Sequence, residues 1–103
     1  ARVQVEGFVR LPERIALTDR AVIDLFTERS GRGDRVSVEM MLGTEPNQLE
    51  RPEAGYTVTS LRVHDAGGTV VTLNDRVSLI GTIDRQGDTC VVRDPIVTAL
   101  ERT

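Results

Sequence analysis

The sequence predicts an all-β domain whose sheet coils into a closed, five-stranded barrel. Apolar and polar residues alternate with period two along most of the chain, and helical periodicity is scarce. Two of the alternating segments, Val3 to Val9 and Val77 to Ile83, each carry a central glycine, Gly7 and Gly81, with an apolar residue two places to either side. A glycine in a strand packs no side chain, so it marks a bulge, a sharp bend or the close approach of another backbone. Two such strands in a chain this short suit a sheet bent tightly enough to close on itself.

The first strand is expected over Arg2 to Leu11, with Val3, Val5 and Val9 on one face and Gln4, Glu6, Phe8 and Arg10 on the other; Pro12-Glu13 interrupts it. The second runs over Ala21 to Thr27, setting Ala21, Ile23 and Leu25 against Val22, Asp24 and Phe26. Ser30-Gly31-Arg32-Gly33-Asp34 reads as a hairpin loop, because glycine supplies the positive φ that such turns need. In the third strand Val36, Val38, Met40 and Leu42 point inward, and Arg35, Ser37, Glu39 and Met41 outward. A long connection follows. Gly43 to Gly55 is polar and proline-containing, with room for a helical turn at Asn47 to Arg51. Thr57 to His64 is β-rich, and Asp65 to Gly68 turns into Thr69 to Leu73, as either an extra hairpin or an irregular crossing segment. The fourth main strand is Arg76 to Asp84, and the last runs from Thr89 to Leu100, broken or kinked at Asp94-Pro95.

Composition narrows the function classes. At 103 residues the chain makes one domain, 1–103, with a single modest core. Apolar content of 39% with 28% charged residues is that of a folded globular protein. No apolar run approaches the roughly 20 residues of a membrane helix, and no secretory signal is visible. Cys90 is the single cysteine, so no internal disulfide forms, which fits a reducing, cytoplasmic setting. All thirteen basic residues are Arg, the product of an Arg-favouring genome or of recognition by planar guanidinium groups. Sixteen acids spread along the chain give a net charge of −3, without the basic stripe of a general nucleic-acid binder.

Five strands, two of them glycine-marked, with a long connection between the third and fourth, resemble an oligonucleotide/oligosaccharide-binding (OB) barrel. The finer resemblance is to the bacterial single-stranded-DNA-binding proteins and the related primosomal replication protein. It rests on Val3-x-Val5-x-Gly7-x-Val9 followed by Pro12-Glu13, on the phrase Leu73-Asn74-Asp75-Arg76-Val77-Ser78-Leu79-Ile80-Gly81-Thr82-Ile83, and on a last strand over Cys90 to Leu100. The resemblance implies a non-enzymatic module that binds single-stranded nucleic acid and associates with itself. Two departures stand against it: the family stacks bases on Trp and other aromatics, whereas this chain has no Trp and three aromatics in all. The sequence also ends soon after the last expected strand, short of the family's acidic-tipped tail.

Single-strand binders combine cationic groups with aromatic platforms. The candidates are Phe8 and Phe26 for stacking, with Arg10, Arg29, Arg32 and Arg35 for phosphates. Both phenylalanines fall on the polar faces of their strands, where they are either stacking platforms or parts of the core or of an oligomer interface. Glu6, Asp24, Glu28 and Glu39 share that nominal face and repel phosphates. Arg32-Gly33-Asp34 matches a tripeptide read by integrins and is set aside as chance. Catalytic chemistry finds little footing. His64 and Cys90 are the only residues of their kinds and lie far apart, so no His/Cys metal set is expected, and no cofactor. Cys90 alternates with Val92 like a core residue. Asp84, Asp88 and Asp94 match no calcium loop, and no phosphate-binding glycine loop is present. The alternative to nucleic-acid binding is a protein-interaction or assembly module of OB type. Acidic balance, missing Trp and absent Lys favour it, with Met41 and Ile80 at a subunit or partner interface.

Overall fold

Gly7 and Gly81 sit where two backbones crowd together, and the barrel closes around them. The computed structural model describes residues 2–12, 19–28, 34–73, 75–87 and 89–101. Among the described residues eight strands form one sheet: β1 (Arg2–Arg10), β2 (Arg20–Phe26), β3 (Arg35–Leu42), β4 (Gln48–Leu49), β5 (Val63–His64), β6 (Val70–Val71), β7 (Arg76–Gln86) and β8 (Thr89–Glu101). The order is β2-β1-β7-β8-β3-β4-β5-β6, and an additional β2–β3 pairing closes β1, β2, β3, β7 and β8 into a barrel. All the barrel pairings are antiparallel except β3–β8, which is parallel. This is a five-stranded barrel of OB type, with a long connection between its third and fourth strands. Among the described residues no helix is long and apolar enough to cross a membrane.

Strand parity explains the core. Val9, Ile23, Leu25, Val38, Met40, Val77, Leu79, Val92 and Val97 alternate inward and are buried. A Cβ on Gly7 would collide with the carbonyl oxygen of Phe26, and one on Gly81 would lie 2.6 Å from a Val92 methyl and 2.8 Å from the Arg93 carbonyl oxygen. At Gly81 the β7–β8 register shifts. Ile80 faces Ile96 while Thr82 faces Arg93, so Asp94 and Pro95 together oppose one glycine. The expected break at Asp94-Pro95 is therefore a bulge within one continuous strand, with Asp94 at φ 51°.

The long connection differs most from expectation. Asn47 to Arg51 is not helical: Asn47 turns the chain at φ 62°, and Leu49 is drawn into the core as β4 pairs in parallel with Met41 and Leu42. Thr57 to His64 is strand only at Val63–His64, because Val58–Ser60 winds into a 3-10 turn in which Ser60 N–H bonds the Thr57 carbonyl. The segment after it forms the hairpin β5–β6. The whole connection is tied to β8 beyond the bulge. The Asn47 Oδ1 accepts from Val97 N–H at 2.8 Å, Ala66 N–H donates to the Val97 carbonyl at 2.8 Å, and the Asp65 Oδ2 accepts from Ala99 N–H at 3.2 Å. These bonds occupy backbone groups that β3 leaves open on β8.

Candidate nucleic-acid interface

Register brings two of the expected contact residues face to face. Phe8 opposes Phe26 across β1–β2, Phe26 opposes Arg35 across β2–β3, and Phe8 opposes Arg76 across β1–β7. Residues directly opposite share a face. The outer surface of the barrel thus carries a row, Arg35–Phe26–Phe8–Arg76, running over four strands. Phe26 is half-buried and Arg35 exposed. Phe8 falls on the polar face of β1, where the sequence allows either a stacking platform or a part of the core or of an oligomer interface. It does point outward, yet keeps only 9% of its surface, because it sits mid-row with neighbours on both flanks. Phe26 is the more accessible ring.

Arg10 lies one step along β1 and opposes Asp24. Burial lifts the Asp24 carboxyl above the usual aspartate range, against the pull of the nearby Arg35 charge. Arg29 and Arg32 lie outside the described residues. Glu6, expected to repel phosphate, accepts from Arg76 Nη2 at 2.7 Å, so its charge is locally compensated.

Sequence reasoning missed three arginines that the fold brings to this surface: Arg76 in the aromatic row, and Arg20 and Arg93 farther along. Arg20 Nη1 donates to Glu39 Oε1 at 3.0 Å, and Arg93 Nε lies 3.6 Å from Glu39 Oε2 and 3.2 Å from Asp84 Oδ2. This chain of alternating charge crosses β2, β3, β8 and β7. Parity could have placed each residue outward, but only the strand order makes them neighbours.

The connection holds a second polar group. Glu50 Oε2 accepts from Arg62 Nε at 2.9 Å and lies 2.9 Å from His64 Nε2, beside a cleft of about 380 Å³ lined by Arg51, Tyr56 and Ser60 among others. The Arg62 hydrogen bond holds the Glu50 carboxyl below the usual glutamate range, assisted by His64 and opposed by partial burial. A carboxylate depressed in the folded state stabilises above its unfolded pKa and loses that contribution as pH falls through the folded value. Glu50→Gln should therefore lower stability by about 1 kcal/mol at neutral pH, roughly 5 °C in melting temperature. The difference should vanish well below the ordinary glutamate value of about 4.3. Thermal melts of both proteins across pH check this, and a pH-independent gap would refute the ion-pair origin.

Among the described residues no group of three or more His, Cys, Asp or Glu side chains is placed to hold a metal ion. Cys90, expected in the core, is exposed. Its parity with the buried Val92 is sound, but it lies close to the β7–β8 turn, beyond the opposing barrel wall. Comparison with protein families, with curated proteins and with solved structures finds no match to this chain in any of the three.

Proposed function

We propose that this chain is a non-catalytic module that binds single-stranded nucleic acid on the outer face of β1, β2 and β3. The observation that carries the reading is the row Arg35–Phe26–Phe8–Arg76, an aromatic pair between two guanidinium groups. Phe26 offers a ring to an unstacked base, while Arg35 and Arg10 meet flanking phosphates. Such surfaces bind with little sequence preference, since every base has a face to stack and every nucleotide a phosphate. The resemblance to bacterial single-stranded-DNA-binding proteins supports the same reading, and an unpaired cysteine suits the cytoplasm.

Fluorescence anisotropy of a labelled oligo-dT, at low and moderate salt, tests it. Binding should weaken with salt at a slope of about −0.7 per phosphate neutralised. Phe26→Ala should weaken binding about tenfold, within the 1–3 kcal/mol of one stacked base, and leave the melting temperature within a few degrees. Absence of binding at low salt would sink the proposal, and a collapse in stability would show that the ring serves the core.

A second reading, an assembly module, is favoured by exposed apolar side chains on the outer surface. Met41 is 47% exposed, Val22 43% and Ile96 40%, the last directly opposite Ile80. Light scattering on the same samples measures self-association, and an oligomer that ignores oligo-dT would favour this reading.

A further inference from the structure

We propose that Glu39 stands in for a phosphate group, holding Arg20 and Arg93 across the outer face of the barrel until a phosphodiester displaces it. The inference rests on the nucleic-acid reading and names a second contact point for the strand, away from the aromatic row.

Glu39 projects from β3, between β2 and β8, and its side chain is only 19% exposed. Its two oxygens face different arginines. Oε1 accepts from Arg20 Nη1 of β2 at 3.0 Å, and Oε2 lies 3.6 Å from Arg93 Nε of β8. Two oxygens on one anionic centre, spanning two guanidinium groups, are what a phosphodiester also presents.

The fit on the β8 side is incomplete. Arg93 Nε is shielded from solvent and, among the described residues, makes no hydrogen bond, although Asp84 Oδ2 is 3.2 Å away. Neither carboxylate is aligned with that N–H. A donor left unmade in this way costs free energy that an oxygen arriving from outside the barrel can recover. Glu39 Oε2 stops 3.6 Å from that nitrogen, whereas a phosphate on a flexible single strand can settle closer.

Neighbouring groups shape the patch without closing it. Val22 opposes Glu39 on β2 and Met41 opposes Arg20 on β3, and both apolar side chains are exposed. They give a sugar or base something to rest on beside the arginine pair. Asp94 and Asp19 act on Arg20, and Asp84 on Arg93, so each arginine keeps a counter-charge when Glu39 is displaced. Displacement therefore offers the phosphodiester two positioned arginines, each still beside another carboxylate.

The test compares wild type with Glu39→Gln, which keeps shape and an acceptor but loses the charge. Oligo-dT anisotropy over a salt series should show Glu39→Gln binding about five- to tenfold tighter at low salt. Its slope should steepen by up to about 0.7, the contribution of the one phosphate that this site takes from a single strand. Glu53→Gln, an equal change in net charge on the connection, should leave binding unaltered. Adding Arg93→Gln to Glu39→Gln should erase the gain, and Arg93→Gln alone should weaken binding, because the arriving phosphodiester loses one of its two guanidinium contacts. An unchanged Glu39→Gln, an equal gain from Glu53→Gln, or a gain that survives Arg93→Gln would each overturn the proposal.

Inorganic tripolyphosphate separates this idea from the reading beneath it. Titrated into ¹⁵N-labelled protein, it should move the Arg93 Nε–H resonance saturably in Glu39→Gln and far less in wild type. That response without oligo-dT binding would uphold the role of Glu39 and reject the nucleic-acid reading. Its absence in Glu39→Gln would overturn the role of Glu39 even if oligo-dT binds elsewhere.

Discussion

Replacing Gly7 by Ala should destabilise the protein by about 3 kcal/mol or more, the upper part of the range for overpacking. A Cβ at this position meets the backbone carbonyl oxygen of Phe26, with Leu25 Cδ2 at 3.0 Å. A side chain could rotate away, but a carbonyl held within the β2 backbone cannot. Relief requires β1 and β2 to separate where Phe8–Arg10 pairs with Asp24–Phe26, which is their entire shared ladder. Gly81→Ala should follow with a similar loss, because its Cβ meets both the Arg93 carbonyl oxygen and a Val92 methyl. Gly67→Ala is the control: its nearest contact is 3.6 Å, and the change should cost no more than a few tenths of a kcal/mol. Urea denaturation followed by circular dichroism measures all three. Gly7→Ala with the stability of Gly67→Ala would mean that the strands part easily and that the glycine does not set the closure.

The second large effect is expected at Asp65. Its side chain is buried within the long connection and accepts three backbone N–H groups. Oδ1 takes Gly67 N–H at 2.9 Å and Thr69 N–H at 2.7 Å, and Oδ2 takes Ala99 N–H at 3.2 Å. Asp65→Ala strands these donors, at about 3 kcal/mol for the set. Asp65→Asn keeps Oδ1 for the turn but sets an amide N–H against Ala99 N–H, so it should fall between wild type and Ala. The ordering wild type, Asn, Ala in urea midpoint checks the assignment. Hydrogen exchange adds a sharper readout, since Ala99 N–H should lose protection in both variants while Thr69 N–H loses it only in Ala. Equal stability of all three proteins would show that solvent reaches the site.

The barrel was legible in the sequence because its signals are local. Alternation gave five strands nearly to the residue, and Gly7 and Gly81 marked close approaches before any partner was known. The connection was less readable. Leu49 and Val63 enter the core from strands of two residues each, too short for any period to declare itself. Asn47 reads as an ordinary loop residue until Val97 stands opposite its side chain. The candidate interface was half legible. Parity put Phe8, Phe26 and Arg35 outward, but their meeting with Arg76 depends on which strands pair. The engagement of Arg20 and Arg93 by Glu39 is a product of strand order alone, and no spacing in the sequence encodes it.

The parallel rung Ser37–Val91 and Val38–Val92 has a consequence in time. β8 is the last strand of the barrel to be synthesised, and it supplies the wall between β7 and β3. Until it emerges from the ribosome, Val38 has no neighbour there, and Asn47 and Asp65 lack the Val97 and Ala99 donors that they hold in the finished protein. β1, β2 and β3 can pair with one another earlier, but none of them fills the gap between β7 and β3. The apolar interior of the barrel therefore stays open on that side until β8 has been made. Closure comes in one late step, governed by the distant pairings that make β-barrels fold in milliseconds to seconds rather than microseconds.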